Sequence, residues 1–202
     1  MLTIWGRINS HNVKKIVWLA EEIGIEHRRV DMGGSFGFTD AYLAANPNRL
    51  VPTIEDDGFV LWESNTILRY LADRHAPHLR AEDAQARAAG EKWMDWQFDY
   101  ADAQRDAFLG LVRTPPEQRD EAAIHRSARR TGEMMAIMDA ELAQRPWLAG
   151  DSFGIADIPM AVYANSWFKF DIERPARPHV ERWFARLLER PAFARIAGIP
   201  LT

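Results

Sequence analysis

One fifteen-residue segment, Leu50–Ser64, reads LVPTIEDDGFVLWES and carries the clearest chemical signals in the chain. Val51-Pro52 leads an alternating strand, and because proline lacks an N–H, neighbouring backbone groups remain free to pair with a bound molecule. The bond before Pro52 is also a candidate for the cis isomer. Ser64 offers an anion its hydroxyl and the unpaired N–H groups of a helix start. The segment predicts a site for an extended, peptide-like small molecule that bears a carboxylate.

The same segment contains a hairpin signal. Asp57-Gly58 separates Thr53-Ile54 from Phe59–Trp62, and an Asp-Gly pair between two apolar runs is a strong indicator of a tight turn between antiparallel strands. Glu63-Ser64 follows the second strand directly, where a helix begins. Val51-Pro52 and Glu63-Ser64 therefore stand at the two outer ends of the predicted hairpin.

A second polar group, Ser10-His11-Asn12, stands at the start of another predicted helix. Taken alone, Ser10 or Asn12 is more often an N-cap than a catalyst, and Ser64 has the same alternative as the cap of a helix over Asn65–Arg74. We predict that His11 is exposed, although its position between Ser10 and Asn12 would also allow it to line a pocket. The six histidines show no metal-ligand spacing, so we expect no metal site.

Composition limits the function classes. With 202 residues, the chain forms one large domain or two small ones, and 47% hydrophobic with 27% charged residues is typical of a soluble globular protein. The net charge of −4 argues against nucleic-acid binding. We expect neither a membrane span nor a signal peptide, which makes the cytoplasm the default compartment. The absence of cysteine means that any thiol chemistry uses a thiol brought by a ligand.

Strand and helix signals alternate through the first eighty residues and predict the order β-α-β-α-β-β-α. Gly33–Gly37 reads as a flexible loop, and Asn46-Pro47-Asn48 ends a short helix. The first β-α-β unit should be parallel and right-handed, with the hairpin added as an antiparallel edge. The predicted elements are a strand over Leu2–Trp5, a helix over Val13–Ile23, a strand over Glu26–Met32, a short helix near Thr39–Ala45, the hairpin, and a helix from Ser64 to about Arg74.

The rest of the chain reads as helical. Two long amphipathic helices, Ala84–Val112 and Glu117–Ala143, are separated by Thr114-Pro115-Pro116. Three shorter helical patterns follow at Ile155–Lys169, Pro178–Glu189 and Ala192–Ala197. Five helices with short connections predict an all-α bundle. We therefore predict an α/β domain over residues 1–76, a linker over 77–83 and an all-α domain over 84–202.

These motifs, in this order, resemble the cytosolic glutathione transferase family over nearly the whole chain. The resemblance rests on an ordered set of motifs, each of which is weak alone. The set comprises Asn46-Pro47, Val51-Pro52, Glu63-Ser64, Phe153–Ile158 and the ending Trp183 to Phe193. It implies a thioredoxin-like first domain, a helical second domain, glutathione as cosubstrate and a homodimer.

The resemblance also implies how Val51, Pro52, Glu63 and Ser64 would bind glutathione. The backbone of Val51, next to cis Pro52, would pair antiparallel with the cysteinyl part of glutathione. Ser64 would bind the α-carboxylate of the γ-glutamyl end, and Glu63 would face its ammonium. Both roles agree with elementary electrostatics, because an anion is stabilised at a helix N-terminus and a carboxylate opposite a cation.

The catalytic position implied by the resemblance lies in Gly6–Val13. Ser10 matches the catalytic serine of theta-like members, and Asn12 matches an asparagine that contacts the thiol in some bacterial nu-like members. This stretch has no tyrosine, and position 10 is not cysteine, which disfavours the tyrosine-dependent and thiol-exchange classes. A hydroxyl or amide N–H, with the positive end of the following helix, would lower the pKa of the glutathione thiol for attack on a small electrophile.

The sequence departs from the family pattern in two places. Arg49-Leu50 stands where Gly-Lys often precedes Val-Pro, so Arg49 is the candidate partner for the glycyl carboxylate of glutathione. Gly154 replaces the Ser or Thr that usually starts a buried capping box in the helical domain. We expect Asp157 still to reach back to backbone N–H groups there.

The sequence does not determine the electrophile or the reaction subtype. The alternatives are a related glutathione-dependent dehalogenase, isomerase or peroxidase, or a non-catalytic binding protein that keeps the fold. Most of the electrophile pocket should come from the helical half. The aromatic and arginine candidates are Trp93, Trp96, Phe98, Tyr100, Arg105, Phe108, Arg113, Trp167, Phe168 and Phe170.

Overall fold

A four-stranded sheet organises the first part of the protein, whose computed structural model describes all of residues 1–202. The strands are β1 (Leu2–Trp5), β2 (His27–Val30), β3 (Thr53–Asp56) and β4 (Phe59–Trp62). Their order across the sheet is β2-β1-β3-β4, with β1 and β2 parallel and the other two pairs antiparallel. The hairpin register pairs Asp56 with Phe59 around Asp57-Gly58, which confirms the predicted turn.

Three helices complete this part in the predicted β-α-β-α-β-β-α order. They are α1 (His11–Glu22), α2 (Asp40–Ala45) and α3 (Ser64–His75). The prediction of a flexible loop at Gly33–Gly37 needs correction, because Gly34–Phe36 forms a 3₁₀ turn and the Gly33 N–H donates to the Gly37 carbonyl at 2.8 Å. Glycine is required at both ends of this turn, since Gly33 and Gly37 each have a positive φ.

Five helices form the second part, as predicted. They are α4 (Ala84–Phe108), α5 (Glu121–Leu142), α6 (Asp157–Lys169), α7 (Pro178–Leu188) and α8 (Pro191–Gly198). The predicted C-terminal extension of the first long helix is a π-helical turn over Leu109–Arg113. No helix combines the length and the apolar composition that a bilayer crossing requires.

The two parts share one hydrophobic core. Trp18 of α1 is fully buried and packs on Phe193 of α8, with ring centroids 4.4 Å apart. Glu22 at the end of α1 accepts hydrogen bonds from Arg190, just before α8. The connecting segment is also anchored, since Leu79 is buried and its carbonyl accepts from the Ile155 N–H at 3.0 Å. Helix α1 therefore lies between the sheet and the helical part.

Asp157 fixes the start of α6, as expected. Its buried carboxylate accepts from the N–H groups of Leu148 at 2.7 Å and Gly154 at 3.2 Å, and from Nε1 of Trp183 at 2.8 Å. A side chain at position 154 would not fit, because an added Cβ would lie 2.7 Å from the Leu79 carbonyl oxygen. The glycine is thus a packing requirement of this fold.

Candidate functional site

A narrow groove lies where the start of α1, the turn before β3 and the start of α3 meet. It contains five of the seven predicted site residues, whereas Ser10 and Arg49 are not part of its lining. The lining residues are Asn12, Asn46, Asn48, Leu50, Val51, Pro52, Trp62, Glu63 and Ser64.

The turn at Val51-Pro52 presents free backbone groups to this groove. The peptide bond between the two residues is cis, as the sequence indicated. The turn is held from behind by Asn46, whose Nδ2 donates to the Leu50 carbonyl at 3.1 Å, and by the Tyr42 hydroxyl, which donates to the same carbonyl at 2.5 Å. The N–H and C=O of Val51 make no hydrogen bond within the chain. They are available to a ligand with an extended backbone.

Gly6 allows the end of β1 to approach this turn. Its φ is +152°, and a Cβ there would lie 2.3 Å from Cγ2 of Val13 and 3.2 Å from Cβ of Val51. Only glycine leaves room for this approach. The loop that carries Ser10 and the start of α1 therefore lies directly against the Val51 turn.

Glu63 and Ser64 form the corner between β4 and α3. Glu63 is the N-cap residue of α3 and has a φ of +74°, a left-handed conformation that is uncommon outside glycine. Ser64 is the first helical residue rather than a cap, and its buried Oγ accepts from Nζ of Lys15 at 3.2 Å. The capping alternative for Ser64 is therefore not what the structure shows.

Ser10 and Asn12 flank the start of α1. Ser10 occupies the N-cap position, but its side chain makes no capping hydrogen bond. Oδ1 of Asn12 is buried and has no hydrogen-bond partner, and Asn12 lines the groove. Because Asn12 lines the groove and Ser10 does not, this amide is the better-placed group for a bound molecule.

The prediction that His11 is exposed is wrong. Its ring stacks on Tyr163 with centroids 4.6 Å apart, and its Nε2 lies 2.7 Å from Oγ of the buried Ser166. Burial, followed by the nearby charges of Lys14 and Lys15, lowers the pKa of His11 to about 3. His11 is therefore neutral at physiological pH and joins α1 to the helical part.

Side chains from both parts of the protein meet beside the start of α1. Phe108 contacts the His11 ring edge-on at 5.1 Å, and the guanidinium of Arg113 lies 5.2 Å from the centre of the Phe108 ring. Nη1 of Arg7 is buried without a hydrogen-bond partner. Burial and then the charge of Arg113 lower the pKa of Arg7. Of the predicted candidates, Phe108 and Arg113 belong to this cluster, whereas Trp93 and Tyr100 are buried.

Sequence reasoning missed Lys15, Gln97 and Tyr42. Lys15 is fully buried behind Ser64, and Gln97 of α4 accepts from its Nζ at 2.5 Å. The one available signal was the pair Lys14-Lys15 inside the otherwise apolar run of α1. No group of three or more His, Asp or Glu side chains is arranged to hold a metal ion.

Comparison with known proteins identifies the family. Residues 9–74 match the model of the glutathione S-transferase N-terminal domain, and residues 102–191 match that of the C-terminal domain. The chain belongs to the glutathione S-transferase family. It is 43% identical to glutathione S-transferase GstB of Escherichia coli K12, over all of both chains.

Two further proteins are similar to this chain over most of its length. The crystal structure of a theta class glutathione S-transferase from Xanthomonas axonopodis pv. citri with glutathione bound is 48% identical, with a TM-score of 0.95, covering 100% of this chain and 99% of that one. Disulfide-bond oxidoreductase YfcG of Escherichia coli K12 is 30% identical over 90% of this chain and 87% of its own. The shared glutathione transferase fold confirms the thioredoxin-like first domain and the helical second domain.

Proposed function

We propose that this protein is a glutathione transferase that activates the thiol of glutathione for attack on a small electrophile. The observation that carries the proposal is the groove, which gathers free backbone groups, a buried hydroxyl, a carboxylate and an unpartnered amide from three separate elements. An extended tripeptide with an ammonium at one end and a carboxylate at each end needs this combination of partners.

In the proposed complex, the N–H and C=O of Val51 pair with the cysteinyl residue, and cis Pro52 shapes the turn. The hydroxyl of Ser64 and the first N–H groups of α3 bind the α-carboxylate of the γ-glutamyl residue. The exposed Glu63 faces the ammonium of that residue, and Arg49, exposed at the rim, faces the glycyl carboxylate. The left-handed conformations of Glu63 and Arg49 support functional roles, because such strain is typical of ligand sites.

Thiol activation is assigned to Asn12 and Ser10. The amide of Asn12 donates from Nδ2 to the thiolate, and the hydroxyl of Ser10 offers a second donor. The N-terminus of α1 adds partial positive charge, so the thiol pKa falls and the thiolate is populated near neutral pH. Of the two, we propose Asn12 as the dominant group because it alone lines the groove.

The electrophile is proposed to bind beside the thiol, between the two domains. Phe108 and the His11–Tyr163 stack supply apolar contact area there, and Arg7 and Arg113 favour a substrate that carries or develops negative charge. We propose a cytoplasmic detoxification enzyme, divided into a glutathione-binding domain (1–76), a linker (77–83) and a helical domain (84–202).

Replacement of Ser64 by alanine tests the proposed site. Loss of a hydrogen bond to a carboxylate should weaken binding of S-methylglutathione by about 1–3 kcal/mol, which is roughly five- to 150-fold. Calorimetric titration measures this change, and conjugation of glutathione to a halonitrobenzene measures the accompanying activity. Ser152→Ala, an exposed serine outside the groove, is the control. Equal affinities for the Ser64 variant and the wild type would contradict the assignment.

A glutathione-dependent disulfide reduction is the second candidate function. The observation that favours it is the 30% identity to disulfide-bond oxidoreductase YfcG. Because this chain has no cysteine, the exchanging thiol would be that of glutathione itself. Comparing halonitrobenzene conjugation with reduction of a model disulfide by the same preparation distinguishes the two activities.

A further inference from the structure

A fully buried lysine lies directly behind the groove. Lys15 of α1 is 0% exposed, and its ammonium donates to Oγ of Ser64 at 3.2 Å, to Oδ1 of Asn65 at 3.0 Å and to Oε1 of Gln97 at 2.5 Å. The rings of Phe98 and Tyr163 lie within 6 Å of it, with Nζ-to-centroid distances of 5.8 and 5.7 Å. Its three N–H groups are thus satisfied from both domains.

All three of these acceptors are uncharged, so no carboxylate neutralises Lys15 by direct contact. A buried ammonium without a counter-ion is costly, and such groups are retained where they serve a function. Two of the acceptors are themselves fixed by their surroundings. Asn65 donates from Nδ2 to the Met94 carbonyl at 2.6 Å, and Gln97 is buried. The arrangement keeps an uncompensated positive charge one hydroxyl away from the groove.

We propose that Lys15 is a positioning residue for the anionic end of glutathione, acting through Ser64. Because its ammonium donates to the lone pair of the Ser64 hydroxyl, the hydroxyl proton is free to point to the groove, where it donates to the ligand carboxylate. The carboxylate in turn supplies the missing counter-charge for Lys15. This inference rests on the proposed function, and it adds a link from the glutathione site to α4 through Gln97.

The charged and titratable groups around Lys15 set its response to pH. His11 and Lys14 share its helix, Glu63 faces it from the start of α3, and Tyr163 faces it from α6. Burial lowers the pKa of Lys15 to about 7, and the charge of Glu63 partly opposes this effect. A carboxylate bound at Ser64 raises the same pKa, so binding is coupled to proton uptake. Affinity should therefore fall as pH rises above about 7.

The first experiment observes the lysine side chains directly. The chain has only four lysines, so a sample labelled with ¹³C-lysine gives four resolvable side-chain signals. Conservative Lys14→Arg, Lys92→Arg and Lys169→Arg variants assign the Lys15 signal by elimination. Saturation with S-methylglutathione, which has no thiol to titrate, should move the Lys15 titration to higher pH. An unchanged Lys15 titration in the saturated protein would overturn the proposal, and no variant at position 15 is needed.

The second experiment measures affinity against pH. Between about pH 6 and about pH 8.5, binding of S-methylglutathione to the wild type should weaken roughly tenfold. Lys15→Met should bind roughly tenfold more weakly than the wild type at the lower pH and lose the pH dependence. Lys14→Met removes the neighbouring buried lysine without touching Ser64. It should keep the wild-type affinity and the wild-type pH dependence.

The outcomes separate this inference from the proposed function. If the wild type fails to bind S-methylglutathione at millimolar concentration, the proposed function is wrong and this inference with it. If the wild type binds and its affinity is independent of pH, or Lys15→Met matches Lys14→Met, only the role of Lys15 is overturned.

Discussion

At the scale of single residues, unpaired polar groups mark the positions to which we assign ligand contacts. The N–H and C=O of Val51 have no partner in the chain, and the ammonium of Lys15 has no carboxylate among its hydrogen-bond partners. Buried polar groups are normally satisfied, so unmet groups indicate a partner from outside. Val51 lines the groove and Lys15 lies directly behind it, which is the physical basis for assigning a polar, charged ligand to this groove.

The relative contributions of Ser10 and Asn12 to activation of the thiol give the first residue-scale prediction. Asn12→Ala should raise the pKa of the thiol of bound glutathione by about 1, because a donor to the thiolate is lost. Ser10→Ala should raise this pKa less. Titration of the ultraviolet absorbance of the bound thiolate measures both values. Equal, unshifted values in the two variants would assign the activation to the backbone and helix α1 alone.

His11 gives the second residue-scale prediction. Its pKa is near 6.5 in the unfolded chain and about 3 in the folded protein, so acid protonates the unfolded state first. Its contribution to stability is therefore lost as pH falls below about 6.5, by up to about 2 kcal/mol between pH 8 and pH 5. His11→Gln should show a smaller loss of unfolding free energy over that range.

Urea denaturation at each pH measures the effect of His11. His78→Gln, an exposed histidine in the connecting segment, is the matched control and should keep the wild-type pH dependence. A His11→Gln variant with the same acid sensitivity as the wild type would show that His11 titrates normally in the fold.

At the scale of secondary-structure elements, short turns between strands and helices position the groove. Asn46 follows α2 and ties the Leu50 carbonyl and Thr53 together, which gives the Asn46-Pro47 motif a structural role. Gly6 lets β1 end against the Val51 turn, and Glu63 adopts a left-handed conformation so that α3 can start at once after β4. The groups that line the groove thus lie at element ends that the sheet holds in fixed relative positions.

The capping interaction of α6 gives the element-scale prediction. Asp157→Asn replaces an acceptor of several N–H bonds by a group that is half donor. Its NH2 group would face the N–H of either Leu148, which donates to Oδ1, or Gly154, which donates to Oδ2. We expect a loss of about 2–4 kcal/mol of unfolding free energy in urea denaturation. Asp151→Asn, on the exposed loop nearby, should change it by less than about 0.5 kcal/mol. A loss no larger than that control would refute the role of Asp157.

Association is the question at the scale of the whole molecule. Three of the four residues of edge strand β4, Phe59, Val60 and Trp62, are exposed and apolar. An apolar edge strand is a liability for a monomer, and on this ground we propose the homodimer that the family resemblance implies.

Sedimentation equilibrium tests the dimer. We expect a species of twice the 23.1 kDa of one chain at micromolar concentration. Phe59→Asp should weaken the association at least about tenfold, because it introduces a charge into an apolar contact. Leu188→Asp, an equally exposed leucine on α7, should leave the mass unchanged. A monomer at all concentrations would contradict the proposal.

Local patterns determined the elements and much of the site. The alternation around Asp57-Gly58 and the helical spacing of apolar residues are short-range signals, so the β-α-β-α-β-β-α order and the five following helices could be read from them. Val51-Pro52 and Glu63-Ser64 were found for the same reason, since a proline before a strand and a serine at a helix start act within a few residues.

Tertiary structure alone decided which side chains meet across the chain. Lys15, Ser64 and Gln97 are separated by up to 82 positions, and nothing local indicates that they form one hydrogen-bonded cluster. The burial of His11 depends likewise on Tyr163 and Ser166 of a distant helix. Periodicity reports the face on which a residue lies, whereas its partner and its pKa depend on what packs against that face.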